Sequence, residues 1–157
     1  MVAEQRNAWI ALLVAVVGYA VYFNLVMTGA AGGPLVEAEY LIPMAVVIVG
    51  SVVGTVVLNV VVAVIAGIVA GSRDPKTADA TVRRVMQESD ERDRAINRSG
   101  ELAARWFLIA GALAALGFAG LELEHFWIAN VIFLGFYVSA IFGAIFKLSA
   151  YRWGLRA

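Results

Sequence analysis

Residues 42–70 read IPMAVVIVGSVVGTVVLNVVVAVIAGIVA, and Ser72-Arg73-Asp74-Pro75 follows at once. These 29 residues carry no charged side chain. A helix needs about 20 apolar residues to cross a bilayer core of roughly 30 Å. At 1.5 Å per residue this run is long enough to tilt or project. Valine is a modest helix former in water, but in lipid each backbone group must be bonded within its own segment, so the run is read as helix. Pro43 suits the first turn, where its missing N–H costs little.

Three further apolar runs share this character. The sequence predicts an all-α integral membrane protein with four transmembrane helices at about 8–27, 42–70, 104–121 and 126–148. Trp9, Tyr151 and Trp153 stand where interfacial anchors belong. The first run is longer than a signal-peptide core of roughly 7–15 residues, so it is read as a retained span. The chain is 62% hydrophobic, against about 45–50% for soluble domains.

Charge sets the expected orientation. All 12 Lys and Arg residues fall on one side of this four-span reading, in or at the edge of the termini and the connection between spans two and three: Arg6; Arg73 to Arg105; Lys147, Arg152 and Arg156. An excess of basic residues in short loops marks the cytoplasmic side. Both termini and the 72–103 connection between the two hairpins are therefore expected inside, in a multi-pass protein of the plasma (inner) membrane, with 1–157 forming a single membrane domain. The outer connections are acidic, with Glu37 and Glu39 in one and Glu122 and Glu124 in the other. Hard cations favour such oxygens, but four carboxylates without a defined loop geometry are read first as loop solvation.

Small residues at four-residue spacing mark helix contacts in lipid. The expected packing positions are Gly50, Gly54, Asn59 and Gly67 on span two, Gly111 and Ala115 on span three, and Gly135, Ser139 and Gly143 on span four. They suit an intramolecular bundle first, with stripes to spare for a homodimer. Asn24, Asn59 and Asn130 are expected to bond between helices. No ionisable residue lies deep within a span, which argues against ion-coupled transport. Trp9-Ile10-Ala11-Leu12 through Gly18-Tyr19-Ala20 resembles Trp106-Phe107-Leu108-Ile109 through Gly117-Phe118-Ala119, the pattern of a parallel repeat.

The inner connection carries most of the functional information. Asp74 and Pro75 suit a helix start, and acid-before-base pairs recur at i,i+4, such as Glu88–Arg92 and Asp90–Arg94. An amphipathic cytoplasmic helix is predicted at about 76–98, with a kink or break at Asn97-Arg98-Ser99-Gly100. Val82, Val85, Met86 and Ile96 would give a protein partner apolar contact. Glu88, Asp90, Glu91, Arg92 and Arg94 would set its register. Near-balance of acids and bases argues against a dedicated polybasic lipid patch.

The pattern Asp90-Glu91-Arg92-x-x-x-Ile96, followed by a membrane helix, resembles a family of uncharacterised small integral membrane proteins of prokaryotes with an Asp-Glu-Arg motif before a span. The resemblance covers roughly residues 88–120. It implies a prokaryotic inner-membrane setting with few helices and short loops, and supplies no activity. Some such proteins look like companions of helix-turn-helix regulators. This chain departs from that family's look at Gly100, where a helix former is more usual.

No catalytic constellation is present. The chain has no Cys, and His125 is its one histidine, so thiol chemistry and histidine metal clusters are excluded. No enzyme activity and no cofactor are expected. With formal net charge zero, no direct nucleic-acid binding is expected. The leading expectation is a membrane regulator or scaffold that binds a cytoplasmic partner, with membrane lipid around its spans. The alternatives are a small channel or transporter subunit, with Asn59 and Asn130 near its path, and a structural companion packing through Gly50 and Gly54.

Overall fold

The computed structural model describes residues 3–30, 32–71 and 91–153. Within them the protein is all-helical: α1 (Ala3–Gly29), α2 (Leu41–Gly71), α3 (Glu91–Gly120) and α4 (His125–Trp153), with a short 3-10 turn at Leu35–Glu37. All four long helices are long and apolar enough to cross a membrane. The chain is a four-helix, multi-pass membrane protein. Its outward faces are apolar, as lipid requires; Val46, Val49, Val53, Val57 and Val60 of α2 are all exposed.

The helices are not equally engaged. α3 and α4 share the most extensive contact, α1 packs on α4, and α2 packs on α1. Among the described residues α2 has no comparable contact with α3. Among the described residues the extensive contacts thus run α2–α1–α4–α3, with α2 also reaching α4 through Ser51 and Tyr137.

Two different chemistries hold this order. The first is a seam of small residues between α3 and α4. A Cβ on Gly111 would meet Gly135 Cα at 3.1 Å, and one on Gly143 would meet Ala104 Cβ at 3.1 Å. Glycine at these crossings lets backbones approach closely enough for dispersion to hold the pair in lipid. Ser139 Oγ donates to Ala104 O at 2.9 Å across the same seam. Phe107 and Phe142 stack beside it, centroids 4.1 Å apart.

The second is an aromatic core in the half of the bundle away from the termini. Tyr22, Phe126, Phe133 and Tyr137 are buried with Ala15, Val26, Val47 and, from the α1–α2 connection, Ala38. Tyr22 and Phe133 lie 4.4 Å apart by centroid, and Phe133 and Tyr137 4.8 Å. Their hydroxyls are satisfied inside the bundle. Tyr22 donates to Asn130 Oδ1 at 2.6 Å, and Tyr137 shares a 3.0 Å hydrogen bond with Ser51. Gly18 makes room for the second pair, since a Cβ there would lie 2.8 Å from Ser51 Oγ.

One expectation about the fold is overturned. Asn97-Arg98-Ser99-Gly100 does not break the helix; α3 runs unbroken from Glu91 to Gly120. The reason is packing. Gly100 lies on the α3–α4 seam, where a Cβ would meet Lys147 Cγ at 2.7 Å and Gly143 O at 3.3 Å. Tertiary contact thus overrides a glycine penalty of about 1 kcal/mol. The part of the 76–98 helix before Glu91 lies outside the described residues.

The repeat-like segments sit in different surroundings. Gly18 is crowded by Ser51 and Tyr137, whereas its counterpart Gly117 has nothing within 4 Å.

Candidate functional site: a polar cleft at the end bearing both termini

A cleft of 690 Å³ opens among all four helices at the end that carries Arg6 and Lys147. It exists because the wall residues are small: Ala8 and Ala11 on α1, Gly100 and Ala104 on α3, Ala140, Gly143 and Ala144 on α4. The space they leave is not closed by α2, which leans on α1. Val56 and Val60 of α2 also border it.

Its polar groups come from every helix. Thr55 and Asn59 face it from α2, Asn97 and Glu101 from α3, Ser139 and Lys147 from α4, and Arg6 and Asn7 from α1. Those at bilayer depth are tied back to backbone, as a low-dielectric setting demands. Thr55 Oγ1 donates to Ser51 O at 2.8 Å, and Asn59 Nδ2 donates to Thr55 O at 2.8 Å. Asn59 thus bonds within its own helix, which corrects the expectation of an interhelical bond there. Asn130 does bridge helices, accepting from Tyr22 while donating to Phe126 O at 2.8 Å.

Toward the open end the cleft is charged. Lys147 Nζ lies 3.8 Å from Glu101 Oε1, beyond hydrogen-bonding distance, and the Glu101 side chain is 72% exposed. The Lys147 side chain is only 22% exposed, its stem lying across Gly100. Its ammonium makes no hydrogen bond to a described residue. Arg6 stands across the cleft, with Nη2 donating to Asn7 Oδ1 at 3.3 Å. Among the described lining residues Arg6 and Lys147 are basic and Glu101 is acidic.

A second, smaller cavity of 300 Å³ lies in the half away from the termini, lined mainly by aromatic and aliphatic side chains such as Phe118, Phe126 and Trp127. Among the described lining residues Asn130, Tyr19, Tyr22 and the Trp127 indole bring polarity there.

The expected packing residues divide sharply. Gly111, Ala115, Gly135, Ser139 and Gly143 come together on or beside the α3–α4 seam. Gly67 is buried on α2. A Cβ on Gly50 or Gly54 would meet nothing within 4 Å among the described residues, so neither marks a close helix crossing there.

Of the expected partner contacts, Val82, Val85, Met86, Glu88 and Asp90 lie outside the described residues, and Arg92 is placed only by its backbone on α3. Glu91 and Arg94 are exposed. Ile96 is not available: it is 0% exposed, the most deeply buried large side chain described. Asp93 beside it is also buried. Ile96 therefore fastens the first turns of α3 to the protein instead of presenting an apolar contact. The sequence stripe could not show which side of it the bundle would claim.

The outer acids form no site. Glu37, Glu39, Glu122 and Glu124 are all exposed, and no group of three potential ligands gathers among the described residues.

Fold and cleft define a polytopic α-helical membrane protein with a small-residue seam and a polar cleft at the end that bears both termini. No protein-family model matches the chain, and neither a curated protein nor a solved structure shows significant similarity to it.

Proposed function

We propose that this protein is a non-enzymatic membrane regulator or scaffold of the prokaryotic inner membrane that binds a cytoplasmic protein through its charged inner connection. The observation that carries the reading is the unbroken α3. Its first turns, with Glu91 and Arg94 outward and Ile96 inward, belong to the same rigid rod as the Gly111 crossing. A partner held at Glu91 is thereby coupled mechanically to the membrane bundle. The Asp90-Glu91-Arg92 pattern and the one-sided distribution of Lys and Arg support the inner-membrane setting.

The test compares affinity-purified wild-type protein with Val85→Asp and Glu91→Arg variants. Loss of the same soluble protein from both, with membrane insertion unchanged, is the expected outcome. A partner retained by both variants overturns the reading.

A second reading, a small channel or transporter subunit, draws on the cleft itself, which reaches Asn59 and Ser139 from the inner end. Beyond it stand the Ser51–Tyr137 hydrogen bond and the aromatic core. Conduction through one chain requires that layer to open. Cation flux in liposomes that falls with Asn59→Leu supports it, and no flux under any imposed gradient excludes it.

A further inference from the structure

We propose that the aromatic cavity in the half away from the termini binds a planar ring bearing carbonyl oxygens, the chemistry of a quinone headgroup. This is independent of the partner reading, because it uses the opposite half of the bundle from the inner connection.

The cavity is lined by α1, α3, α4 and Leu35 of the 3-10 turn. Half of its twelve described lining residues are aromatic: Tyr19, Tyr22, Phe23, Phe118, Phe126 and Trp127. Some already meet ring to ring. Phe126 and Trp127 stand edge to face with centroids 5.2 Å apart, and Tyr19 and Tyr22 are tilted at 6.2 Å. A flat ring gains offset and edge contacts with such walls that a saturated chain does not. The volume, 300 Å³, lies at the lower end of the range of small-molecule sites, which suits a single substituted ring.

Hydrogen bonding says what the ring should carry. Phe126 O can only accept, so the Asn130 amide nitrogen faces it and Oδ1 faces Tyr22. The Tyr22 hydroxyl hydrogen is thereby committed to Asn130. Asn130 keeps a second amide hydrogen. The Tyr19 hydroxyl and the Trp127 indole N–H make no hydrogen bond to a described residue. Amide and indole hydrogens can only donate, so a matching ligand must bring acceptors. An oxygen-free ring or an acyl chain would leave those donors unmet, at a cost in affinity. Carbonyl oxygens on the ring edge answer both the aromatic walls and the surplus donors.

Both a membrane quinone and a soluble cyclic ketone have this chemistry. The α1, α3 and α4 lining residues belong to helices long and apolar enough to cross a membrane, so a lipid-dissolved ring is the expected source.

The experiment titrates the full chain in micelles with a benzoquinone carrying a decyl tail, reading tryptophan fluorescence. Trp127 is the one tryptophan among the cavity's described lining residues. Saturable quenching is expected in wild type and in Trp153→Phe, and is lost in Trp127→Phe. Tyr19→Phe and Asn130→Ala, tested separately, each weaken the apparent affinity about fivefold, the ~1 kcal/mol of one neutral hydrogen bond. Decylbenzene, the same ring and tail without oxygen, fails to displace the quinone at equal concentration. Quenching that never saturates, or that saturates alike without Trp127, overturns the proposal. So does affinity insensitive to both Tyr19→Phe and Asn130→Ala in protein that stays helical by circular dichroism. Equal displacement by decylbenzene overturns the carbonyl assignment. A tailless, water-soluble benzoquinone separates the sources: weaker binding than the tailed form supports a membrane quinone, and equal binding supports a soluble cyclic ketone at the same site.

Discussion

Gly111 and Gly135 meet backbone to backbone: a Cβ on either would stand 3.1 or 3.2 Å from the other's Cα. That contact sets how closely α3 and α4 cross, and the crossing fixes the wall of the inner cleft through Ala104 and Gly143. Replacing Gly135 with Val should force the helices apart and destabilise the protein by about 1–3 kcal/mol, the usual cost of overpacking. Gly54→Ala, at a position with open space around it, should stay within about 0.5 kcal/mol of wild type. Reversible unfolding in mixed micelles measures both. Equal effects at the two sites would contradict the seam.

Tyr22 and Asn130 join α1 to α4 through a 2.6 Å hydrogen bond in the aromatic core. Interhelical hydrogen bonds in membranes contribute about 0.6–2 kcal/mol. A double-mutant cycle on Tyr22→Phe and Asn130→Ala should return a coupling energy in that range. Strict additivity would mean that the bond adds nothing beyond shape.

Glu122 closes α3 in the left-handed region, with φ 55°. Leu123 N–H bonds to Phe118 O at 3.0 Å and Glu122 N–H to Ala119 O at 3.1 Å, a helix stop that ordinarily takes glycine. A side chain there costs about 1–2 kcal/mol. Glu122 is exposed and touches no metal cluster, so Glu122→Gly should stabilise the fold by about 1 kcal/mol without altering insertion. A destabilised variant would show that the carboxylate has a structural role.

Because the chain lacks Cys, single cysteines report orientation without a background. A cysteine at Glu122 should react with a membrane-impermeant maleimide in intact cells, and one at Arg152 only after lysis. The opposite pattern would invert the topology and place the cleft on the outer side.

Span number and approximate limits were legible in the sequence because lipid imposes one rule on every backbone group, and long apolar runs obey it visibly. The packing positions of α3 and α4 were legible as well, since Gly111 and Ala115 on one helix, and Gly135, Ser139 and Gly143 on the other, stand four residues apart, but nothing in the sequence paired these two helices. Gly100 was not. As a local signal it reads as a breaker, and only the passage of Lys147 across it shows why helix persists. Ile96 misled for a related reason: an apolar residue on a charged helix has the same appearance whether it meets a partner or its own bundle. Gly50 and Gly54 carry the strongest small-residue motif of the chain, yet a Cβ on either would meet nothing within 4 Å among the described residues. The cleft was invisible for a different cause. Its cations are 141 positions apart in the numbering of the chain, at Arg6 and Lys147, and no local pattern joins them.

The central claim, that the inner connection receives a cytoplasmic protein, is tested most directly by site-specific photocrosslinking in native cells at Val85, with Gly54 as the comparison position. The account predicts a defined soluble protein crosslinked at Val85 and lost when Glu91 is replaced by Arg. Capture only at Gly54, of a second copy or another membrane protein, with nothing at Val85, would contradict it.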